Sequence, residues 1–217
     1  MRFFEKQPNS DPKPFKLGKK IKPERGGYFS ETPIRSKKNP DTLVKRLKIE
    51  GEYVDETLDN YDVNTFKERY QKSLRLLETY LAEFLPKMQL VFGQDKDQKK
   101  TGYLLVQEII STKIPKENHQ ATQQLNTLLI KIIEMWLATQ KESDDKIGII
   151  PELSNIGGNI MYGHTKNDQT DKFYVVDIYP LEYPNKRELI EMMNEFFSMN
   201  PEIDFTETKN KLRELEM

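Results

Sequence analysis

Asn159 and Asp177 are the residues here whose types and placement best suit the capture of a hard cation. Asn159 stands at the start of a strand pattern, after Gly157 and Gly158. Asp177 follows the apolar run Phe173–Val176 and precedes Ile178, Tyr179 and Pro180. A polar hairpin loop between the two strands would bring their open ends together. An amide carbonyl and a carboxylate at neighbouring hairpin ends are both oxygen donors, the kind Mg²⁺ takes together with substrate phosphates. The plainer alternative is that Asn159 serves a turn and Asp177 caps the loop after its strand.

Much other chemistry is excluded by inventory. The 217 residues include no Cys and only two His, His119 and His164, so thiolate sites, disulfides and multi-histidine centres are absent. His164 falls in the polar hairpin loop and reads as a solvated turn residue. No GxSxG, HExxH, EF-hand or P-loop pattern occurs. No apolar run approaches the roughly 18 residues of a membrane span, and the start lacks the apolar stretch of a secretory leader. The expectation is a cytoplasmic chain with no membrane partner.

Charge is uneven. Net charge is −1, yet residues 13–48 carry twelve Lys or Arg against Glu24, Glu31 and Asp41, a balance of +9 that leaves about −10 elsewhere. Such a segment suits nucleotide phosphates or a nucleic-acid backbone, or is simply a solvated surface. Aromatic residues in it are few, and no nucleic-acid-binding signature is present. A basic nucleic-acid adaptor is therefore the least favoured reading.

The elements that must position these residues follow from periodicity. Residues 1–13 read as a loose arm. Residues 14–21 and 42–49 alternate as two strands around a glycine-bearing connection, with Leu43, Lys45 and Leu47 on one face. Thr65–Leu85 is a helix: Thr65 and Glu68 fit a capping box, Phe66, Tyr70, Leu74, Leu77, Leu81 and Phe84 form a stripe, and Pro86 stops it. Residues 87–94 and 101–110 form a hairpin. A buried helix over 117–141 carries Ala121, Leu125, Leu128, Leu129, Ile132 and Trp136. Asn185 with Glu188 caps a third helix whose Leu189, Ile190, Met193, Phe196 and Phe197 face inward; residues 201–217 form a polar tail whose end, 207–217, frays. Strands cluster at the front and helices at the back, so the class is α+β.

This order resembles the protein-kinase-like fold, closer to its compact bacterial and aminoglycoside-phosphotransferase-style branches than to eukaryotic protein kinases. The likeness spans residues 14–200 and rests on weak motifs in consistent order. TLVKRLK resembles the third strand, the Thr65–Leu85 helix resembles the helix that supplies a glutamate, and YLLVQEII resembles the strand that enters the hinge. GGNIMYG with FYVVDIYP resembles the catalytic-loop Asn and the metal-binding Asp. The resemblance implies two lobes, a mainly antiparallel N-lobe sheet within 14–110 and a reduced, mainly helical C-lobe within 111–200, with ATP and Mg²⁺ between them. It implies Lys45 on the phosphates, Gln107 as gatekeeper, the backbone of Glu108 and Ile110 against adenine, and Asn159 and Asp177 on the metal. On the helix, Glu78 lies at the edge of the apolar face and Glu68 on the far side. Glu78 is thus the preferred partner of Lys45, a solvated glutamate being the alternative.

The sequence also departs from the family. Ser154 stands where the base aspartate usually sits, and serine is no carboxylate base. Glu152 in PEL offers a carboxylate that could accept a hydroxyl proton; otherwise it is a surface residue after a proline. Gly26 and Gly27 supply adjacent glycines in place of a spaced phosphate loop, or an ordinary turn. Only forty residues follow Asp177, too few for an activation segment and a large substrate lobe. The leading expectation is phosphate transfer to a small acceptor. The alternative is a catalytically inactive module working through a protein partner.

Overall fold

The computed structural model describes residues 17–20, 34–36, 41–46, 63–94, 100–114, 118–140, 147–153, 156, 158–176 and 181–216. They form a mixed α+β protein with antiparallel pairings. The chain divides into two compact units, Met1–Lys67 with Gln89–Val106, and Glu68–Met88 with Gln107–Met217.

The first unit is built on a five-stranded sheet. Its strands are β1 (Leu17–Lys20), β2 (Ile34–Ser36), β3 (Thr42–Arg46), β4 (Met88–Gln94) and β5 (Lys100–Gln107), in the order β1-β2-β3-β5-β4. β2 was not legible, because three residues are too few to display a period of two. It pairs antiparallel with β3 through Ile34↔Val44 and Arg35↔Leu43. Val44, Leu104 and Val106 are buried.

Helix α1 (Val63–Leu81) continues as a 3-10 turn, Ala82–Phe84, before the chain reaches β4. Tyr70, Leu74, Leu77, Leu81 and Phe84 are buried along one stripe, as the 3.6 period requires. The helix begins two residues earlier than the sequence pattern indicates, so Thr65 and Glu68 lie within its first turns and not at a cap. Nothing in Val63 or Asn64 opposes helical geometry, and the start is set by context.

The second unit packs around α2 (His119–Thr139), whose first turn is capped by the Asn118 side chain accepting from the Ala121 N–H at 3.1 Å. Leu125, Leu128, Leu129, Ile132, Ile133 and Met135 have no measurable exposure, so this helix is apolar over most of its girth. It packs against β7 (Ile150–Pro151), β9 (Asp168–Val175) and α4 (Thr206–Glu216). The remaining elements are β6 (Ile110–Ser111), β8 (Ile160–Thr165), β10 (Leu181–Glu182) and α3 (Lys186–Met199). At α3 the capping box of Asn185 and Glu188 is present in both directions.

Two expectations are corrected here. The C-terminal stretch does not fray: it is α4, anchored through buried Thr208 and Leu212. Asn126 of α2, itself buried, accepts from the Thr208 N–H at 3.1 Å and its hydroxyl at 2.6 Å, and donates to the Asp204 carbonyl at 2.8 Å. One buried amide thereby satisfies an N–H of the new helix that would otherwise be orphaned. The hairpin of β8 and β9 is also longer than read. Its turn is Lys166–Asn167, and the polar residues assigned to a loop lie in the strands. Asp168, Gln169 and Thr170 are exposed there, so no apolar alternation announces the strand.

Candidate functional site

The open end of the β8–β9 hairpin is the best-defined part of the site. Strand pairing runs Ile160↔Val175, Met161↔Tyr174 and Tyr162↔Phe173. It is stabilised by burial of Phe173, Tyr174 and Val175 and by the Tyr162 and Phe173 rings, whose centroids lie 4.8 Å apart. At the far end the Thr165 hydroxyl accepts from the Asp168 N–H at 3.1 Å, which fixes the turn. At the near end the Val176 N–H donates to the Asn159 carbonyl at 2.9 Å. Asn159, partly exposed, is thus held beside Val176, and Asp177 is the next residue in the chain. Asp177 itself lies outside the described residues.

An Asn amide beside the position that leads into an Asp is a donor set that fits Mg²⁺ by its chemistry. Among the described residues no group of three or more His, Asp or Glu could hold a metal ion.

Glu152 follows directly on β7. That strand pairs antiparallel with β10 through Leu181↔Pro151 and Glu182↔Ile150. The C-terminal end of α2 grips both sides of this short ladder. Trp136 Nε1 donates to the Pro184 carbonyl at 2.8 Å, and the Gly148 N–H reaches the same oxygen at 3.2 Å. The Ile149 N–H donates to the Thr139 hydroxyl at 2.7 Å. A side chain at residue 148 would collide with the Trp136 ring, which explains the glycine.

The register brings a second carboxylate to this place. Burial pushes the Glu182 carboxyl up to about 7, the negative charge of Glu152 pushes the same way, and the Leu153 N–H acts against both as a hydrogen-bond donor. Its Oε2 atom is buried without a hydrogen-bond partner. Sequence reasoning singled out Glu152 and missed Glu182. A two-residue strand carries no period, so only the register shows that PLEYP returns to PEL. Ser154 lies outside the described residues.

Ile110 belongs to β6, which pairs with β8 through Ile110↔His164 and Ser111↔Gly163. The Ile110 carbonyl faces Gly163 so closely that a Cβ at residue 163 would collide with it. Glu108 lies in the irregular link between β5 and β6 and is partly buried. His164 is not the solvated turn residue expected from the sequence. It sits within β8, and its Nδ1 lies 2.7 Å from Asp171 Oδ1 on β9. The strands extend through residues read as loop, which places this pair across the hairpin.

Glu78 is partly buried on α1, next to the fully buried Leu77, and burial raises its carboxyl above the ordinary 4.5. Glu68 is exposed. Lys45 lies in β3, between β2 and β5 in the sheet; its side chain is outside the described residues, as are Gly26 and Gly27. Comparison with family models gives no match, and comparison with curated proteins gives no significant sequence similarity.

Proposed function

We propose that this chain is a compact kinase-like protein that binds ATP with Mg²⁺ and transfers phosphate to a small acceptor. The observation that carries this reading is the end of the β8–β9 hairpin, where the Val176 N–H to Asn159 carbonyl bond aligns the Asn with the residue preceding Asp177. Two features support it. β3, with Lys45, lies next to β5, the strand that runs toward Glu108, so a lysine on phosphates and a backbone on adenine would serve one nucleotide. Helix α1, with Glu78, stands between β3 and β4 in chain order.

In this reading Lys45 binds phosphate oxygens and Glu78 orients Lys45. The segment at Glu108 receives the adenine, and Asn159 and Asp177 hold the metal. When bound, Mg²⁺ supplies positive charge to the phosphate oxygens. Glu152 accepts the proton of the acceptor hydroxyl as its oxygen bonds to the terminal phosphorus and the bond to ADP breaks.

The test is thermal denaturation with ATP, with and without Mg²⁺, alongside phosphate release from ATP. A ligand that binds only the native state stabilises by about 2.7 kcal/mol at one hundred times its Kd. A Mg²⁺-dependent rise, lost in Asn159→Ala and Asp177→Ala, supports the reading. Ser154 at the usual base position favours a second reading, an inactive module that binds a protein partner. Nucleotide binding without phosphate release in the presence of candidate acceptors would select it. No binding at all would refute both nucleotide-based accounts.

A further inference from the structure

We infer that Glu182 is a positioning residue for Glu152: from the facing strand it clasps the backbone that follows Glu152. The inference rests on reading Glu152 as the base, and it adds a residue that no motif indicated.

The argument begins with the ladder. Glu182↔Ile150 and Leu181↔Pro151 put β10 alongside the two residues that lead into Glu152. Beyond the ladder the Leu153 N–H still points to the Glu182 carboxyl. Glu182 thus engages the peptide on the far side of Glu152, while β7 fixes the near side. Trp136, Thr139 and Gly148 anchor that ladder to α2 and Pro184. Glu152 is therefore held from both directions.

The second observation is Oε2. A buried carboxylate oxygen without a partner is costly when the group is charged and much less so when it carries a proton. The charge of Glu152 favours the proton too. Glu152 acts on it from the segment after β7. Glu188, Glu191 and Glu195 of α3 line the same 460 Å³ depression as Glu182 and Tyr183. Two neighbouring carboxyl groups do not both ionise readily, and the one in the drier place keeps the proton. Glu182, with its buried oxygen, is that member.

The experiment uses the full chain labelled with carboxyl-¹³C glutamate, followed by NMR against pH, with resonances assigned by Glu152→Gln and Glu182→Gln. The Glu182 carboxyl is expected to titrate near pH 7 and to move toward 4.5 in Glu152→Gln. A Glu182 midpoint in the ordinary carboxylate range, or one unmoved by Glu152→Gln, overturns the inference. Amide exchange at Leu153 supplies the second readout. Glu182→Gln is expected to retain protection, and Glu182→Ala to lose about tenfold, the loss of one hydrogen bond. Equal exchange in the two variants overturns the clasp. If Glu182→Ala fails to fold, the titration and Glu182→Gln still decide.

Neither readout needs nucleotide. A Glu182 titration near pH 7 that responds to Glu152→Gln, in a protein that does not turn over ATP, refutes the base reading alone and leaves the pairing standing. Turnover with an ordinary Glu182 titration does the reverse. If both hold, Glu182→Gln is expected to keep turnover and to remove the change in the pH profile near 7.

Discussion

The Glu182 carboxyl gives this protein a pH dependence of stability with a definite sign. In the unfolded chain the group releases its proton near the ordinary 4.5, whereas the folded chain retains it to about 7. Between these values the native state binds more protons than the unfolded one, so stability falls as pH rises. The contribution is complete below about pH 4.5 and gone above about pH 7. At the full limit such a displacement is worth roughly 3 kcal/mol. Glu182 is only partly buried, and solvent screening reduces the figure to about 1–1.5 kcal/mol. Glu182→Gln has no proton to lose and lacks this slope. The assay is urea denaturation of both proteins at a series of pH values from 4.5 to 8. With a urea slope of about 2 kcal/mol/M, the wild-type midpoint is expected to fall by roughly 0.5 M more than that of the variant. All other titrating groups are common to the two proteins, so their difference isolates this carboxyl. Glu152→Gln is expected to shrink the fall without abolishing it, because burial is the larger cause. Parallel curves for wild type and Glu182→Gln would refute the reasoning.

Asn126→Leu leaves the Thr208 N–H and hydroxyl and the Asp204 carbonyl without their buried partner. A loss of about 3 kcal/mol, or roughly 6–12 °C in thermal midpoint, is expected, with rapid amide exchange at Thr208; an unchanged midpoint contradicts the anchoring of α4. Gly163→Ala drives a methyl group into the Ile110 carbonyl. It is expected to cost about 1–3 kcal/mol and to expose the Thr112 N–H, now bonded to the Tyr162 carbonyl at 3.0 Å, to exchange. Asn185→Ala removes one half of the α3 capping box and is expected to cost about 1 kcal/mol, read as a fall of roughly 2–4 °C.

What was legible in the sequence was whatever has a long period. The stripe Tyr70, Leu74, Leu77, Leu81 and the apolar girth of α2 are buried as their spacing requires. The Asn185–Glu188 cap was readable because a capping box is a local arrangement within one turn. The two-residue ladder of β7 and β10 was not, since Ile150, Pro151, Leu181 and Glu182 meet only through tertiary packing against α2. Glu182 was missed for that reason. His164 was misplaced because the exposed polar run Lys166–Thr170 reads as loop although Asp168–Thr170 belong to β9, and its Asp171 partner emerges only from the register of β8 and β9. Helix α4 was read as a fraying tail because its amino end is served by Asn126, some eighty residues earlier in the chain. Asn159 was found at a hairpin end, as its pattern suggested. The pairing of Ile110 with His164 was not legible, because β6 has only two residues.

The most direct test of the central claim is calorimetric titration of ATP into the wild type and into Asp177→Ala, each with and without Mg²⁺. The account predicts saturable one-to-one binding by the wild type, strengthened by Mg²⁺, with the Mg²⁺ dependence abolished in the variant. Binding of equal strength in both proteins under both conditions, or no binding by the wild type, would contradict it.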